Sequence, residues 1–419
     1  MAYPDSVRFL YSLGNELKTA KLGLERINTL LASLGKPHKE LRRVIHVAGT
    51  NGKGSTCAMI ESGMRASGLR TGLFTSPHLL EPTERIRIDG EPVSSEDFTF
   101  AFDQVHAAAD ALLERGEIDA HPSYFETVTA MAFLLFYDKQ TECNVVEVGL
   151  GGRLDATNVV EPETCVITPI DFDHEKFLGA SLESIAAEKA GILKEGVPLI
   201  LAPQRPQADR VVREWAGRLE VPVLEAWRPD YVEATARGGR IHAQGLDIEC
   251  ALAGRHQVVN AMAAATALSA SRIDSEAVKR GISQVRWPGR IDLVCRNPDV
   301  ILDGAHNPSG ARALAEYVTE FYSDPKPVLI FGAMRDKAIE EITGFLFPHF
   351  AEVVLTAPAQ PRALAPEAYA SLIEHPCLRM EPTFESAFRT VAGSRSPIFV
   401  SGSLFLVAEA LEFLQSLKA

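Results

Sequence analysis

The chain has 419 residues, of which 46% are hydrophobic and 23% charged. That composition excludes a disordered chain, a coiled coil and a collagen-like repeat, and the length asks for two or three domains of about 150 residues each. Its 42 Lys and Arg against 55 Asp and Glu leave a formal net charge of −13, which argues against coating nucleic acid or an anionic membrane and requires that any anionic substrate be met by positive charge gathered locally.

In chain order, helical periodicity predicts helices over residues 25–34, 55–67, 94–114, 124–138 and 182–193. Strand-length apolar runs predict strands over 44–48, 71–75, 144–148, 165–168 and 198–202. This alternation implies βα units around a largely parallel sheet. Between residues 222 and 250 the texture changes to short segments broken by Gly238, Gly239 and Gly245, which reads as a small antiparallel patch. Helical texture returns over 257–286. Trp287-Pro288-Gly289-Arg290 is a turn signal, and a second βα series follows with strands at 300–302, 328–331, 353–355 and 398–400. The boundary is expected near residue 290, giving domains 1–290 and 291–419.

Six cysteines are scattered at 57, 143, 165, 250, 295 and 377, with no zinc-type spacing, and suggest a reducing compartment. The N-terminal residues lack an apolar stretch of the signal-peptide kind, and the longest apolar run, 128–137, is too short to span a bilayer. The expectation is a cytoplasmic protein with neither membrane nor nucleic-acid partners.

The strongest motif runs from Val44 through Gly49-Thr50-Asn51-Gly52-Lys53-Gly54-Ser55-Thr56. A β-rich run enters a glycine-rich loop and a helix follows. Glycines let backbone N–H groups turn inward on a phosphate, and the helix start adds a positive end. Lys53 has the reach for β/γ-phosphates, and a hydroxyl of Ser55 or Thr56 suits Mg²⁺. The strict phosphate-loop pattern is not met, because Val stands at 47 and Gly54 separates Lys53 from Ser55. The alternative is a glycine-rich turn with a surface lysine; the strand–loop–helix context favours phosphate.

Glu147 interrupts an apolar strand just before Gly149-Leu150-Gly151-Gly152. A carboxylate there sits at the carboxyl end of a sheet strand, where open α/β folds bind ligands, and offers a hard oxygen for Mg²⁺. Asp173-His174 follows another strand; His174 is either a ligand or a satisfied structural residue. Lys189, late in a predicted helix, reads locally as a solvated lysine. In the second series, Asp303 and His306 fall between a strand end and a helix starting near Pro308, with Asn307 as its cap. Asp303 reads as a group for ribose hydroxyls or metal-bound water, and Arg290 lies on the linker, either exposed or reaching a phosphate.

Taken together, these segments resemble the folylpolyglutamate synthase / dihydrofolate synthase family within the Mur-ligase group. The resemblance also takes in Thr75-Ser76-Pro77-His78-Leu79, Glu84-Arg85-Ile86, Tyr124-Phe125-Glu126, Glu188-Lys189-Ala190-Gly191, His256 and Asn260, and the inserted Gly54 is what the family carries. It implies an α/β fold with an N-terminal P-loop NTPase-like parallel-sheet domain bearing the antiparallel patch, and a C-terminal Rossmann-like α/β domain.

The activity it implies is ATP-dependent, ADP-forming addition of L-glutamate to dihydropteroate, to the γ-carboxylate of folates, or to both, through an acyl phosphate. A folylpolyglutamate synthase alone, or another Mur-type acid–amino-acid ligase, is the alternative. The implied ATP contacts are Asn51, Gly52, Lys53, Gly54, Ser55, Asn260, Arg290, Asp303 and His306. Ser55, Ser76, Glu147, His174 and Lys189 match magnesium ligands, with two ions expected. Lys189 matches a lysine that becomes N-carboxylysine, which reverses its local reading. Lys53, Glu147, His174 and Lys189 are the implied catalytic set. Gly23, Leu24, Glu25 and Arg26, following Leu22, match a loop over the pterin. Tyr124, Phe125 and Glu126, with Leu154, Asp155 and Ala156, match the pterin-side pocket. A monomer acting on small molecules is implied.

Overall fold

The computed structural model describes residues 1–13, 23–370 and 373–417. Five consecutive buried residues, Val44–Ala48, form β1 at the centre of a sheet that has eight strands among the described residues. The others are β2 (Thr71–Phe74), β3 (Ile86–Ile88), β4 (Glu91–Pro92), β5 (Cys143–Glu147), β6 (Thr164–Ile167), β7 (Leu199–Leu201) and β8 (Val223–Glu225). They lie in the order β4-β3-β2-β5-β1-β6-β7-β8. Every pairing from β2 to β8 is parallel, while β3 and β4 add an antiparallel edge. Strands covered on both faces need no polar alternation, which is why β1, β5, β6 and β7 read as near-continuous apolar runs.

Around this sheet lie α1 (Tyr3–Ser12), α2 (Glu25–Ser33), α3 (Lys53–Ala66), α4 (Ser95–Glu114), α5 (Tyr124–Asp138), the one-turn α6 (Glu175–Leu178), α7 (Leu182–Ala190), α8 (Pro206–Arg218), α9 (Arg255–Ala270) and α10 (Ser275–Gln284). Two of them are fixed by their caps. Ser94 accepts from Asp97 N at the start of α4, and Ser123 and Glu126 form a reciprocal capping box at the start of α5. Phe98 and Phe102 of α4 and Phe133 and Phe136 of α5 are fully buried in one apolar cluster. The single helical stretch expected over 257–286 is two helices: Arg272 is left-handed (φ 60) and Asp274 caps α10. α10 packs on α3 through glycines, where a Cβ on Gly281 would stand 2.3 Å from Gly63 Cα.

By internal contacts the chain divides into two compact units, residues 1–229 with 259–285, and residues 230–258 with 286–419. The antiparallel patch is a three-stranded meander, β9 (Tyr231–Thr235), β10 (Gly238–Ala243) and β11 (Leu246–Cys250). It falls in the second unit, whereas the expected cut at 290 keeps it in the first domain. The second unit also holds a sheet of β12 (Asp292–Cys295), β13 (Val300–Leu302), β14 (Val328–Phe331), β15 (Glu352–Leu355), β16 (Leu378–Met380) and β17 (Ile398–Ser401), ordered β12-β13-β17-β14-β15-β16. All its pairings are parallel except β12 with β13. Helix α11 (Pro308–Phe321) follows β13. The α/β class with one parallel-sheet domain and a second α/β sheet is as the sequence implies. Among the described residues no helix is long and apolar enough to cross a membrane.

Candidate active site

Parallel pairing brings three strand ends to one edge of the first sheet. Val47 of β1 is level with Glu147 of β5, and Ala48 is level with Ile167 of β6. The loops leaving these strands therefore share a rim, at the place where chain order reverses across the sheet. Gly49 (φ 147) and Gly52 (φ 86) hold conformations that L side chains rarely adopt, and α3 starts directly at Lys53, two residues earlier than the sequence indicates. The loop is tied to the β6 rim. Thr50 N donates to Pro169 O at 3.1 Å, and the Thr50 hydroxyl donates to Asp171 O at 2.9 Å.

Two ammonium groups converge on this loop. Lys53 Nζ donates to Gly49 O at 3.2 Å and to Thr50 O at 3.1 Å. Lys189 Nζ donates to the same Gly49 carbonyl at 2.8 Å. Lys189 is 4% exposed, so its local reading as a solvated helix lysine is wrong. Burial, and then the charge of Lys53, push its pKa from about 10.5 down to about 7, with Asp173 and Asp155 pulling it back up. Its place on α7 is fixed by the glycine-rich loop after Glu147. Arg153 N donates to Glu188 O at 2.8 Å, Asn158 Nδ2 donates to Gly191 O at 3.0 Å, and a Cβ on Gly152 would lie 2.6 Å from Glu188 O.

Glu147 is the last residue of β5 and 4% exposed. Its Oε2 accepts from Ser76 N at 3.1 Å, which brings Ser76 and Glu147 together. Ser55 is buried in the first turn of α3. Cys57, two residues further on, has its thiol pushed up by burial and by Glu147, against the opposing pull of Lys53; Glu147 and the phosphate-loop lysine thus act on one neighbour. The donor set of Ser55, Ser76 and Glu147 is hard oxygen, which fits Mg²⁺. His174 opens α6 in a left-handed conformation (φ 53). Its N–H donates to Asp173 Oδ1 at 2.9 Å. Asn260 is buried with its amide against the phosphate loop, and a Cβ on Gly52 would meet Asn260 Oδ1 at 2.1 Å. That close approach explains why glycine stands at 52. Asn51 and Gly54 flank it in the loop.

On the side of α5, Glu126 is buried and accepts from Arg26 Nη1 at 3.3 Å, so the loop at 23–26 and the Tyr-Phe-Glu segment meet. Gly23 and Leu24 lead into α2 at Glu25, while Leu22 lies outside the described residues. Phe125 sits where a Cβ on Gly149 would be 2.4 Å away. Tyr124 stacks on Tyr11 of α1 (5.8 Å, 15°) and lies under the Arg85 guanidinium at 4.8 Å. Asp155 accepts from Leu150 N at 2.8 Å and from Thr157 N at 3.0 Å. It caps the turn at Ala156–Val159, with burial raising its pKa to about 6. Leu154 and Ala156 flank it.

Four positioning groups here, Glu84, Arg85, His78 and Tyr11, were given no role from the sequence. The Glu84 carboxylate accepts from the backbone N–H of Leu79, Leu80 and Glu81 at 2.8, 2.9 and 3.0 Å, which shapes the loop carrying Ser76. Arg85 Nε donates to His78 Nδ1 at 2.9 Å, and His78 Nε2 lies 3.2 Å from Tyr11 Oη. No local signal marked Tyr11, because nothing in the first residues was read as a helix.

In the second unit, Asp303 follows β13 and is buried. It accepts from Ile291 N at 2.9 Å and Ala305 N at 3.0 Å, joining two loops. Burial raises its carboxyl pKa, with Arg290 opposing. His306 Nδ1 donates to Gly304 O at 2.8 Å. Arg290 lies where a Cβ on Gly304 would be 2.5 Å from Nη1. His256 is held near pKa 4, by burial and then by Arg290. Asn307 caps α11 by accepting from Gly310 N at 2.8 Å. Arg290, Asp303 and His306 are thus brought together, with His256 beside Arg290.

The profile of the Mur ligase middle domain matches residues 47–268, and that of the Mur ligase glutamate ligase domain matches residues 289–404. The Bacillus subtilis dihydrofolate synthase/folylpolyglutamate synthase is 36% identical over 428 residues, covering 97% of this chain and 98% of the relative. The chain belongs to the folylpolyglutamate synthase / dihydrofolate synthase family of Mur ligases. A solved structure of Mycobacterium tuberculosis folylpolyglutamate synthase complexed with ADP and AMPPCP superposes with a TM-score of 0.91 at 32% identity, covering 98% of this chain and 99% of that one. Escherichia coli FolC in complex with DHPP and ADP gives 0.88 at 30% identity, covering 100% and 99%. The family expected from the ordered motifs is the family these matches show.

Proposed function

We propose that this Mur ligase adds L-glutamate both to dihydropteroate and to the γ-carboxylate of folates. It is an ATP-dependent, ADP-forming ligase of folate metabolism. The observation that carries the site assignment is the convergence of Lys53 and Lys189 on Gly49 O at the carboxyl end of β1. Of the two, Lys53 supplies the locally gathered positive charge that an anionic substrate needs in a chain of net charge −13.

A carboxylate is a poor electrophile. One of its oxygens attacks the γ-phosphorus of ATP, the bond to the β-phosphate oxygen breaks, and ADP leaves. The amine of glutamate then attacks the acyl carbon, phosphate departs, and the amine proton is lost to give the amide. Lys53 neutralises the transferring phosphate, and the backbone of residues 51–55 cradles it. Asn260, against Gly52, takes the adenine side; Arg290, Asp303 and His306 are proposed as further ATP contacts. Gly23–Arg26, Tyr124–Glu126 and Leu154–Ala156 are proposed for the pterin.

Ser55, Ser76 and Glu147, with His174 and Lys189, would hold Mg²⁺, with two ions proposed. The ion would supply charge neutralisation at the phosphates. Carboxylation of Lys189, in which the amine adds to CO₂ with loss of a proton, would turn the buried one of two adjoining lysines into a carboxylate. The resemblance motivates that step, and the crowding of Lys53 and Lys189 supports it. A monomer in a reducing cytoplasm, without nucleic-acid partners, fits the acidic charge and the six free cysteines among the described residues.

Replacing Lys53 with Ala tests the phosphate-loop assignment. Glutamate-dependent ADP release is expected to fall by a factor on the order of 10² or more, with the circular dichroism spectrum unchanged. Turnover equal to the parent would contradict it.

A further inference from the structure

Away from the phosphate loop, His106, Asp110 and His121 gather in the first unit. One ligand atom from each lies within 4.8 Å of the others. His106 and Asp110 are one turn apart on α4, and His121 lies in the loop between α4 and α5. His106 Nδ1 and His121 Nε2 are 3.3 Å apart, and His106 Nε2 is 3.5 Å from Asp110 Oδ2. Two donors bound tetrahedrally at about 2.0–2.1 Å to one ion stand about 3.3 Å from each other, which is the spacing of the His106 Nδ1–His121 Nε2 pair; Asp110 lies against the other nitrogen of the His106 ring and joins the set through the wider 4.8 Å spacing.

Hydrogen bonding fixes one tautomer. His121 Nδ1 lies 3.1 Å from the carbonyl oxygen of Pro122. A carbonyl only accepts, so Nδ1 carries the proton and the lone pair is left on Nε2, the nitrogen turned towards His106. A ligating imidazole whose other N–H donates to a backbone carbonyl is the usual arrangement around a metal. The rings are also held in place. Phe9 lies 4.4 Å from His106 and 5.4 Å from His121, and Phe102 stacks on His106 at 5.3 Å and 19°.

We propose that His106, Asp110 and His121 form a three-ligand site for a Zn²⁺-class divalent ion, with the fourth position open to water. Two imidazoles and one carboxylate select a nitrogen-seeking transition ion over Mg²⁺. Asp110 is half-exposed, so the ion has a path from solvent. Once bound, it ties α4 to the loop that ends in Ser123, the cap of α5. The same loop carries Asp119, which pairs with Arg26 at 3.4 Å. The site therefore acts as a clasp on the segment that presents Tyr124, Phe125 and Glu126.

The test uses metal-free protein with Mg²⁺ in excess, titrated with Co²⁺ and read by visible absorption. A single equivalent is expected to give the strong ligand-field bands of four-coordinate Co²⁺, and Zn²⁺ is expected to displace it. Asp110→Asn and His121→Gln are each expected to weaken Co²⁺ binding tenfold or more. Asp110 is a half-exposed helix residue, so its variant reports even if His121→Gln folds poorly. Absence of a saturable band in the parent protein overturns the proposal. So does an Asp110→Asn protein that binds Co²⁺ with the parent's affinity and spectrum.

Discussion

Lys189 and His46 are both basic groups taken out of water, and burial lowers the pKa of each. His46 is 0% exposed in the middle of β1. Its Nε2 lies 2.9 Å from Thr157 Oγ1, and burial, with Lys194 adding to it, holds its pKa at about 3. The unfolded chain accepts a proton there at about pH 6.5. The folded state refuses that proton, so the stability His46 contributes is complete above pH 6.5 and is lost as pH falls from there towards 3. The loss is about 1.4 kcal/mol per pH unit. The difference in unfolding free energy between the parent and His46→Gln, measured in urea at pH 7.5 and 5, is therefore expected to shrink at the lower pH. A difference that stays constant would contradict the buried neutral imidazole. Lys189 shows why single residues are hard to read locally: its burial is set by Gly49 O, which is distant in sequence. Only the family pattern of Glu188-Lys189-Ala190-Gly191 singled it out.

Among the elements, those read from sequence with their observed bounds are β1, β13, β14 and α5, where a strongly apolar run or a capping box has clear limits. The elements that escaped are α1, α6 and α8, the strands β3, β4 and β8 towards the ends of the first sheet, and β12 and β16, which are brief or carry polar residues. Their existence depends on partners rather than on local pattern. The contact of α3 with α10 belongs to the same class, since nothing in Gly63 or Gly281 alone announces it. A methyl at 281 must displace backbone, because it would stand 2.3 Å from Gly63 Cα. Gly281→Ala is expected to destabilise the protein by about 1–3 kcal/mol, although alanine is the better helix former by about 1 kcal/mol. A lowered urea midpoint at unchanged slope is the expected reading, and a raised midpoint would contradict the close packing.

For the whole molecule, sequence order of motifs was more informative than any one of them. The phosphate loop departs from the strict pattern, yet strand β1, Glu147 at the end of β5 and the β6 loop meet on one sheet rim as parallel pairing requires. Helical and meander textures mark elements, but which unit residues 230–258 join is decided by contacts across the sequence. The meeting of Lys53 and Lys189 at Gly49 O is likewise a property of the folded chain, assembled from α3 and α7.

The most direct measurement is product mass. The protein is incubated with ATP, Mg²⁺ and L-glutamate, with dihydropteroate in one tube and tetrahydrofolate in another. The account predicts one added glutamate on dihydropteroate and at least one on tetrahydrofolate, each addition accompanied by ADP. Addition to tetrahydrofolate alone would contradict the bifunctional assignment, and no addition in either tube would contradict folate ligation itself.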